Sequence, residues 1–107
     1  MKQIAISFLL LTLALSSAQA GDDKDIPALL KASGCLSCHA IDIKVVGPAF
    51  QSVAAKYAGQ ADAADSLAQS VRFGSRGKWG RIPMPAHASL SAEDIKSLVN
   101  WVMTQKP

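Results

Sequence analysis

Apolar residues recur along most of this chain at intervals of three and four, with almost no strict alternation, so the pattern predicts helices and not strands. The clearest case lies near the C-terminal end. Ile95, Leu98, Val99 and Val102 follow at i, i+3, i+4 and i+7, with Trp101 flanking that stripe. Ser91-Ala92-Glu93-Asp94 precedes it and resembles a capping box with Asp94 in the glutamate place. Phe50, Val53, Ala54 and Tyr57 predict a short alanine-rich helix over residues 49–58, and Leu67 and Val71 another over 62–73 that Gly74 stops. Asp25-Ile26-Pro27 marks an earlier start, with Pro27 in the first turn, where a missing N–H does no harm. That segment, 26–32, ends at Ser33-Gly34. Residues 41–47 and 75–90 read as loops, the second punctuated by Gly77, Gly80, Pro83 and Pro85. The expected fold is all-α, one domain of about four short helices.

The first twenty residues follow another pattern. Lys2 gives a positive start, residues 4–15 are apolar apart from Ser7 and Thr12, and Ala18-Gln19-Ala20 is a small-x-small cleavage site. This is the signature of a cleaved secretory signal peptide over residues 1–20, leaving a domain over 21–107. The apolar run is shorter than the about 20 residues a membrane span needs, so no stable membrane insertion is expected after cleavage. The leader inflates the hydrophobic fraction of 50%. It also carries Lys2, so its removal takes the formal charge from +3 to +2. A weak, scattered positive charge is not that of a nucleic-acid binder. A mature domain this small usually needs a staple. With two cysteines in the whole sequence, a disulfide framework is not available.

Both cysteines lie in Gly34-Cys35-Leu36-Ser37-Cys38-His39-Ala40. A thioredoxin-like dithiol would need an alternating β/α chain, and strand signals are missing. Structural zinc needs four ligands, and the sequence supplies Cys35, Cys38, His39 and the distant His87 with no second C-x-x-C or H-x-x-H. Two idle thiols are a poor fit to an oxidising compartment. The remaining reading is covalent attachment of one haem c. Thiols two residues apart on one helical turn reach the two vinyl groups of one porphyrin edge, forming two thioethers, and His39 lies beneath the ring to bind iron.

The second axial position has three candidates, Met84, Met103 and His87. Met103 sits in a helix where packing explains it. Met84 lies in Arg81-Ile82-Pro83-Met84-Pro85, where flanking prolines restrict the backbone, and a thioether suits low-spin haem iron. His87, three residues further on, is the other ligand candidate.

Taken together these residues resemble the small bacterial class I cytochromes c of the cytochrome c-551 group. The matching runs are Gly34-Cys35-x-x-Cys38-His39-Ala40-Ile41-Asp42, Lys44-x-Val46-Gly47-Pro48-Ala49 and Val53-Ala54-Ala55-Lys56-Tyr57-Ala58-Gly59-Gln60. Gly74-Ser75-x-Gly77-x-Trp79-Gly80, Ile82-Pro83-Met84-Pro85 and Trp101-Val102 complete them. The resemblance implies the class I cytochrome c fold wrapped around one covalent haem c, with His39 and Met84 on the iron. It implies that the Pro48 carbonyl receives the His39 ring N–H and that Trp79 donates to a haem propionate. Two departures stand out. An imidazole, His87, stands where relatives can use an asparagine toward the methionine sulfur. Near Ser70, where relatives can use a basic residue for a propionate, Arg72 or Arg76 is expected to take the role.

The resulting expectation is a periplasmic, monomeric electron carrier and not an enzyme. Leu36, Val45, Ile82 and Pro83 would surround the exposed haem edge, with Lys44 and Arg81 at its rim. By resemblance, donors and acceptors include a quinol-oxidising complex, nitrite reductase, a terminal oxidase or a peroxidase. The competing classes are a small peroxidase-like haem enzyme with a displaceable sixth ligand and a haem-based sensor module.

Overall fold

The helical periodicity is realised as four α-helices in a computed structural model that describes residues 24–107; the expected leader at 1–20 lies outside them. In chain order they are α1 (Ile26–Ala32), α2 (Phe50–Tyr57), α3 (Ala63–Phe73) and α4 (Ala92–Met103), with a single 3-10 turn at Cys35–Ser37 between the first two. Extended pairing among the described residues is limited to two isolated bridges, His39 with Lys44 and Ser75 with Met84.

Local chemistry sets the helix ends. Asp25 caps α1 by accepting the Ala28 N–H at 3.1 Å, and Pro27 occupies the first turn. Gly34 then takes a left-handed φ of 75°, which turns the chain sharply into the Cys35–Ser37 turn. At α4, Ser91 Oγ accepts the Asp94 N–H at 3.0 Å, which is one arm of the capping box. The return arm is replaced. The shorter Asp94 carboxylate instead accepts from the Lys24 ammonium at 2.6 Å, tying the head of α4 to the segment before α1.

The core forms around α4. Ile95, Leu98 and Val99 are its most deeply buried side chains, Ile95 at 1% exposure. Ile95 and Val99 pack with Val53 and Tyr57 of α2 and with Ala63 and Leu67 of α3. Leu98 packs with Leu30 of α1 and Phe50 of α2. Met103 is partly buried against the first group, a packing role. Each fully buried aliphatic side chain contributes about 1.5–3 kcal/mol. Phe50 links the core to the segment that follows the turn. Trp101 meets it edge-on at 5.2 Å, and the His39 ring stacks on it at 5.0 Å.

Candidate functional site

The 3-10 turn gathers three of the predicted residues. The backbone amides of Cys38 and His39 both donate to the Cys35 carbonyl, at 3.2 and 2.9 Å, so the two thiols and the imidazole ride on one short unit. The thiols are not joined in a disulfide. Burial pushes the Cys35 thiol up from its ordinary value, a hydrogen bond with its own backbone partly offsets this, and Cys38 adds to the rise. Such a thiol lacks the depressed pKa of a dithiol oxidoreductase. Among the described residues, no group of three or more His, Cys, Asp or Glu is placed to hold a metal ion, so a zinc site lacks its ligands.

His39 is fixed from three sides. Its Nδ1–H donates to the Pro48 carbonyl at 2.7 Å, which leaves Nε2 as a bare nitrogen able to ligate a metal. Phe50 stacks on the ring with an interplanar angle of 19°. Gly47 closes the remaining approach: a Cβ there would stand 2.6 Å from His39 Cε1. The Gly47 amide also donates to the Cys38 carbonyl at 2.7 Å, holding this loop against the turn.

Met84 is anchored from another direction. It exchanges two backbone hydrogen bonds with Ser75, at 2.9 and 3.0 Å, just beyond the end of α3. The Ser75 register depends on Gly74, whose φ of 79° and ψ of 174° belong to glycine. A Cβ at Gly74 would stand 2.6 Å from the Met84 carbonyl oxygen.

His39 and Met84 line one cleft of about 450 Å³, together with Cys38, Pro48 and Trp79. Cys35 stands beside it, packed against Leu30, Phe50 and Leu98. Much of the wall is apolar, with Val53, Leu67, Val71, Val99 and Val102 supplied by three helices. Its formal side-chain charges are the cations Lys44, Lys78 and Arg81, with no carboxylate among the lining residues. A bare imidazole nitrogen, a thioether, two thiols on one turn, apolar walls and positive groups fit a haem, which is flat, largely apolar and carries two carboxylates.

The remaining predicted residues divide. Lys44, Arg81, Ile82 and Pro83 line the cleft, whereas Leu36 and Val45 lie outside it, each half exposed. Arg72 does not line the cleft. Leu67, Ser70 and Val71 share the inward face of α3, and position 72 lies about 200° around the helix from position 70. Arg76 is also off the wall, whereas Lys78, which the sequence reading did not single out, lines it. A lysine in a glycine-rich loop carries no signal of where its head lodges. His87 is off the wall too: its backbone N–H donates to the Val71 carbonyl at 2.9 Å, and its Nδ1 is buried without a hydrogen-bond partner. Ile41, Ile43 and Val46 were also missed: each is exposed, as Leu36, Val45 and Ile82 are, and Val46 and Ile82 line the cleft. Their signal was an apolar run in a predicted loop, where no helix would bury it.

Comparison with known proteins gives a consistent picture. A family model described as Cytochrome c matches residues 24–106. Cytochrome c-551 of Pseudomonas aeruginosa is 49% identical over 106 residues, covering 99% of this chain and 100% of that one. Cytochrome c-551 of Azotobacter vinelandii is 54% identical over 78 residues, 73% of this chain and 94% of its own. The crystal structure of wild-type Nitrosomonas europaea cytochrome c552 superposes with a TM-score of 0.72 at 46% identity, covering 75% of this chain and 99% of that chain.

Proposed function

The chain belongs to the cytochrome c family and is an electron carrier with one covalently bound haem c, and we propose that His39 and Met84 are its two axial ligands and the periplasm its workplace. The observation that carries the ligand assignment is the shared cleft. The imidazole and the thioether line one space, each on backbone pinned by hydrogen bonds. When bound, the haem supplies a one-electron ferric/ferrous couple.

The chain's own residues tune and guard that couple. Cys35 and Cys38 would hold the haem through two thioethers, and the Pro48 carbonyl, which orients His39, would raise its basicity as a ligand. A Met84 thioether on the iron would keep substrates from it and would raise its potential relative to a second nitrogen ligand. Val53, Leu67, Val71, Val99 and Val102 keep water away, which disfavours the more charged ferric state. His87 would have to be the acid–base group of a peroxidase-like site, and it lies off the wall, so no observation favours that reading.

Electrons would pass at the exposed edge. Ile82 and Pro83 line the cleft and are exposed, with Lys44 and Arg81 beside them. Leu36 and Val45, each half exposed, would add apolar surface to this patch. A small apolar patch with a cationic rim suits brief encounters with acidic redox proteins. A quinol-oxidising complex as donor, and nitrite reductase, a terminal oxidase or a peroxidase as acceptor, are partners of that kind. Among the described residues no helix is long and apolar enough to cross a membrane. Export predicts a purified protein whose N-terminal residue is Gly21, which mass spectrometry reads directly.

Replacing Met84 by alanine tests the ligand assignment. The variant should lose the ferric far-red sulfur-to-iron band, and its ferrous form should bind carbon monoxide rapidly. Retention of the band would remove Met84 from the iron.

A further inference from the structure

We propose that Lys78, held in place by Ser70, is the cation that seats a haem propionate in this chain. The inference rests on the haem c reading of the cleft. Three cations line the wall, and Lys78 is distinguished by where its head goes. Its Nζ donates to Ser70 Oγ at 2.8 Å, and Ser70 is buried at 9% exposure on the inward face of α3. Ser70 in turn donates to the Ser66 carbonyl at 3.3 Å, so its hydroxyl proton points away from the ammonium and a lone pair is offered to it.

A lysine ammonium has three N–H donors and prefers water. One donor goes to Ser70, and no other protein acceptor is found for it among the described residues. The ion pairs among those residues are those of Lys24 with Glu93 and Asp94, so Lys78 has no carboxylate partner. A lysine head hydrogen-bonded to a buried serine, at an apolar cleft with no acid on its wall, is placed to meet an anionic group within that cleft.

The neighbouring contacts fix the same corner. Lys56 Nζ donates to the Lys78 carbonyl at 3.1 Å and sits 4.3 Å over the Trp79 ring. One lysine of α2 thus clamps both the backbone of Lys78 and the indole beside it, and Trp79 lines the cleft. Besides Lys78, the titratable or hydroxyl side chains on the same cleft wall are Tyr57 from α2, Ser70 from α3, and Cys38, His39, Lys44, Ser75 and Arg81 from the loops, with Lys56 of α2 over Trp79. From α4 come only Val99 and Val102. The wall holds three Lys or Arg side chains and no carboxylate. A carboxylate bound there stays ionised well below neutral pH, so the potential should be insensitive to pH near neutrality.

The test is the reduction potential of the holo-protein as a function of pH. For the parent, a flat profile is expected from about pH 5 to about pH 8. Lys78→Gln should lower the potential at neutral pH and bring in an inflection, with the propionate pKa raised by about one unit or more. Lys78→Arg should restore the parental curve, and Ser70→Ala should move it the same way as Lys78→Gln but less. Arg72→Gln should leave it unchanged. A parental profile in Lys78→Gln, or an inflection created by Arg72→Gln, overturns the assignment. Lys78 is an exposed residue outside both core clusters, so the substitution leaves the core intact. The far-red sulfur-to-iron band of the parent separates the two levels of argument: its absence rejects the underlying ligation, whereas an unmoved potential with the band present rejects Lys78 alone.

Discussion

Replacing Gly47 by alanine asks whether the His39 ring is held from behind as tightly as the geometry implies. The new Cβ would stand 2.6 Å from Cε1 and 3.0 Å from each ring nitrogen. Carbon atoms settle at about 3.5–4.0 Å, so something must retreat by about 1 Å. The ring is pinned by the 2.7 Å bond to the Pro48 carbonyl and by the Phe50 stack at 5.0 Å. The loop is pinned by the 2.7 Å bond from the Gly47 amide to the Cys38 carbonyl. Gly47 is not among the positive-φ glycines, so steric overlap alone sets the effect. Overpacking of this kind destabilises by about 1–3 kcal/mol. Loss of a ring or loop hydrogen bond adds about 1 kcal/mol. For a domain of this size, 2 kcal/mol corresponds to a fall in Tm of roughly 10 °C. Thermal unfolding of the holo-protein, followed by circular dichroism, measures it. A Tm within about 2 °C of the parent would refute the reasoning, because it would mean that the ring or the loop yields freely.

Gly74→Ala places a side chain in a glycine-only region of backbone space and 2.6 Å from the Met84 carbonyl, so it should destabilise by about 1–3 kcal/mol. It should also loosen Met84, which faster carbon monoxide binding by the ferrous variant would reveal; parental kinetics would count against the anchor. Asp94 is held below its ordinary value of 3.8, chiefly by the hydrogen bond from Lys24. Lys24 is raised above 10.5, chiefly by the same bond. The stabilisation is therefore full between those two ordinary values, lost in acid as pH falls through the lowered Asp94 value, and lost in base as pH rises through the raised Lys24 value. Lys24→Gln should lower Tm near neutral pH and converge on the parent as pH falls well below the ordinary Asp94 value; a pH-independent difference would contradict this. Lys44→Glu with Arg81→Glu should slow reduction by an acidic partner at low salt by about tenfold, and the gap should close as salt rises. Equal rates at every ionic strength would remove these two residues from the docking surface.

Much of this could be read from the chain because local rules and tertiary structure agree. Pro27 and Gly34 bound α1, and the Ile95, Leu98 and Val99 stripe that defines α4 is the stripe the core buries. The Cys35, Cys38 and His39 unit is legible because the attachment chemistry fixes its spacing, and Trp79 and Met84 because the loop resembles that of known relatives. What was not legible depends on where long side chains end. The Asp94 carboxylate leaves the capping box for Lys24, seventy positions away in sequence. Arg72 was favoured by its nearness to Ser70 in sequence, but helical rotation turns it from the wall. Lys78 reaches Ser70 from a loop, and no periodicity encodes that contact. The unpartnered His87 Nδ1 is likewise a product of packing between the Met84 loop and α3.

The claim that His39 and Met84 close both faces of the iron is tested most directly by optical spectra of the purified, exported protein, ferric and ferrous, before and after addition of carbon monoxide. Ligation by both residues should give sharp low-spin ferrous bands, a ferric far-red sulfur-to-iron band and no shift with carbon monoxide. A high-spin ferric spectrum, or a rapid carbon monoxide shift, would show an open iron site and contradict it.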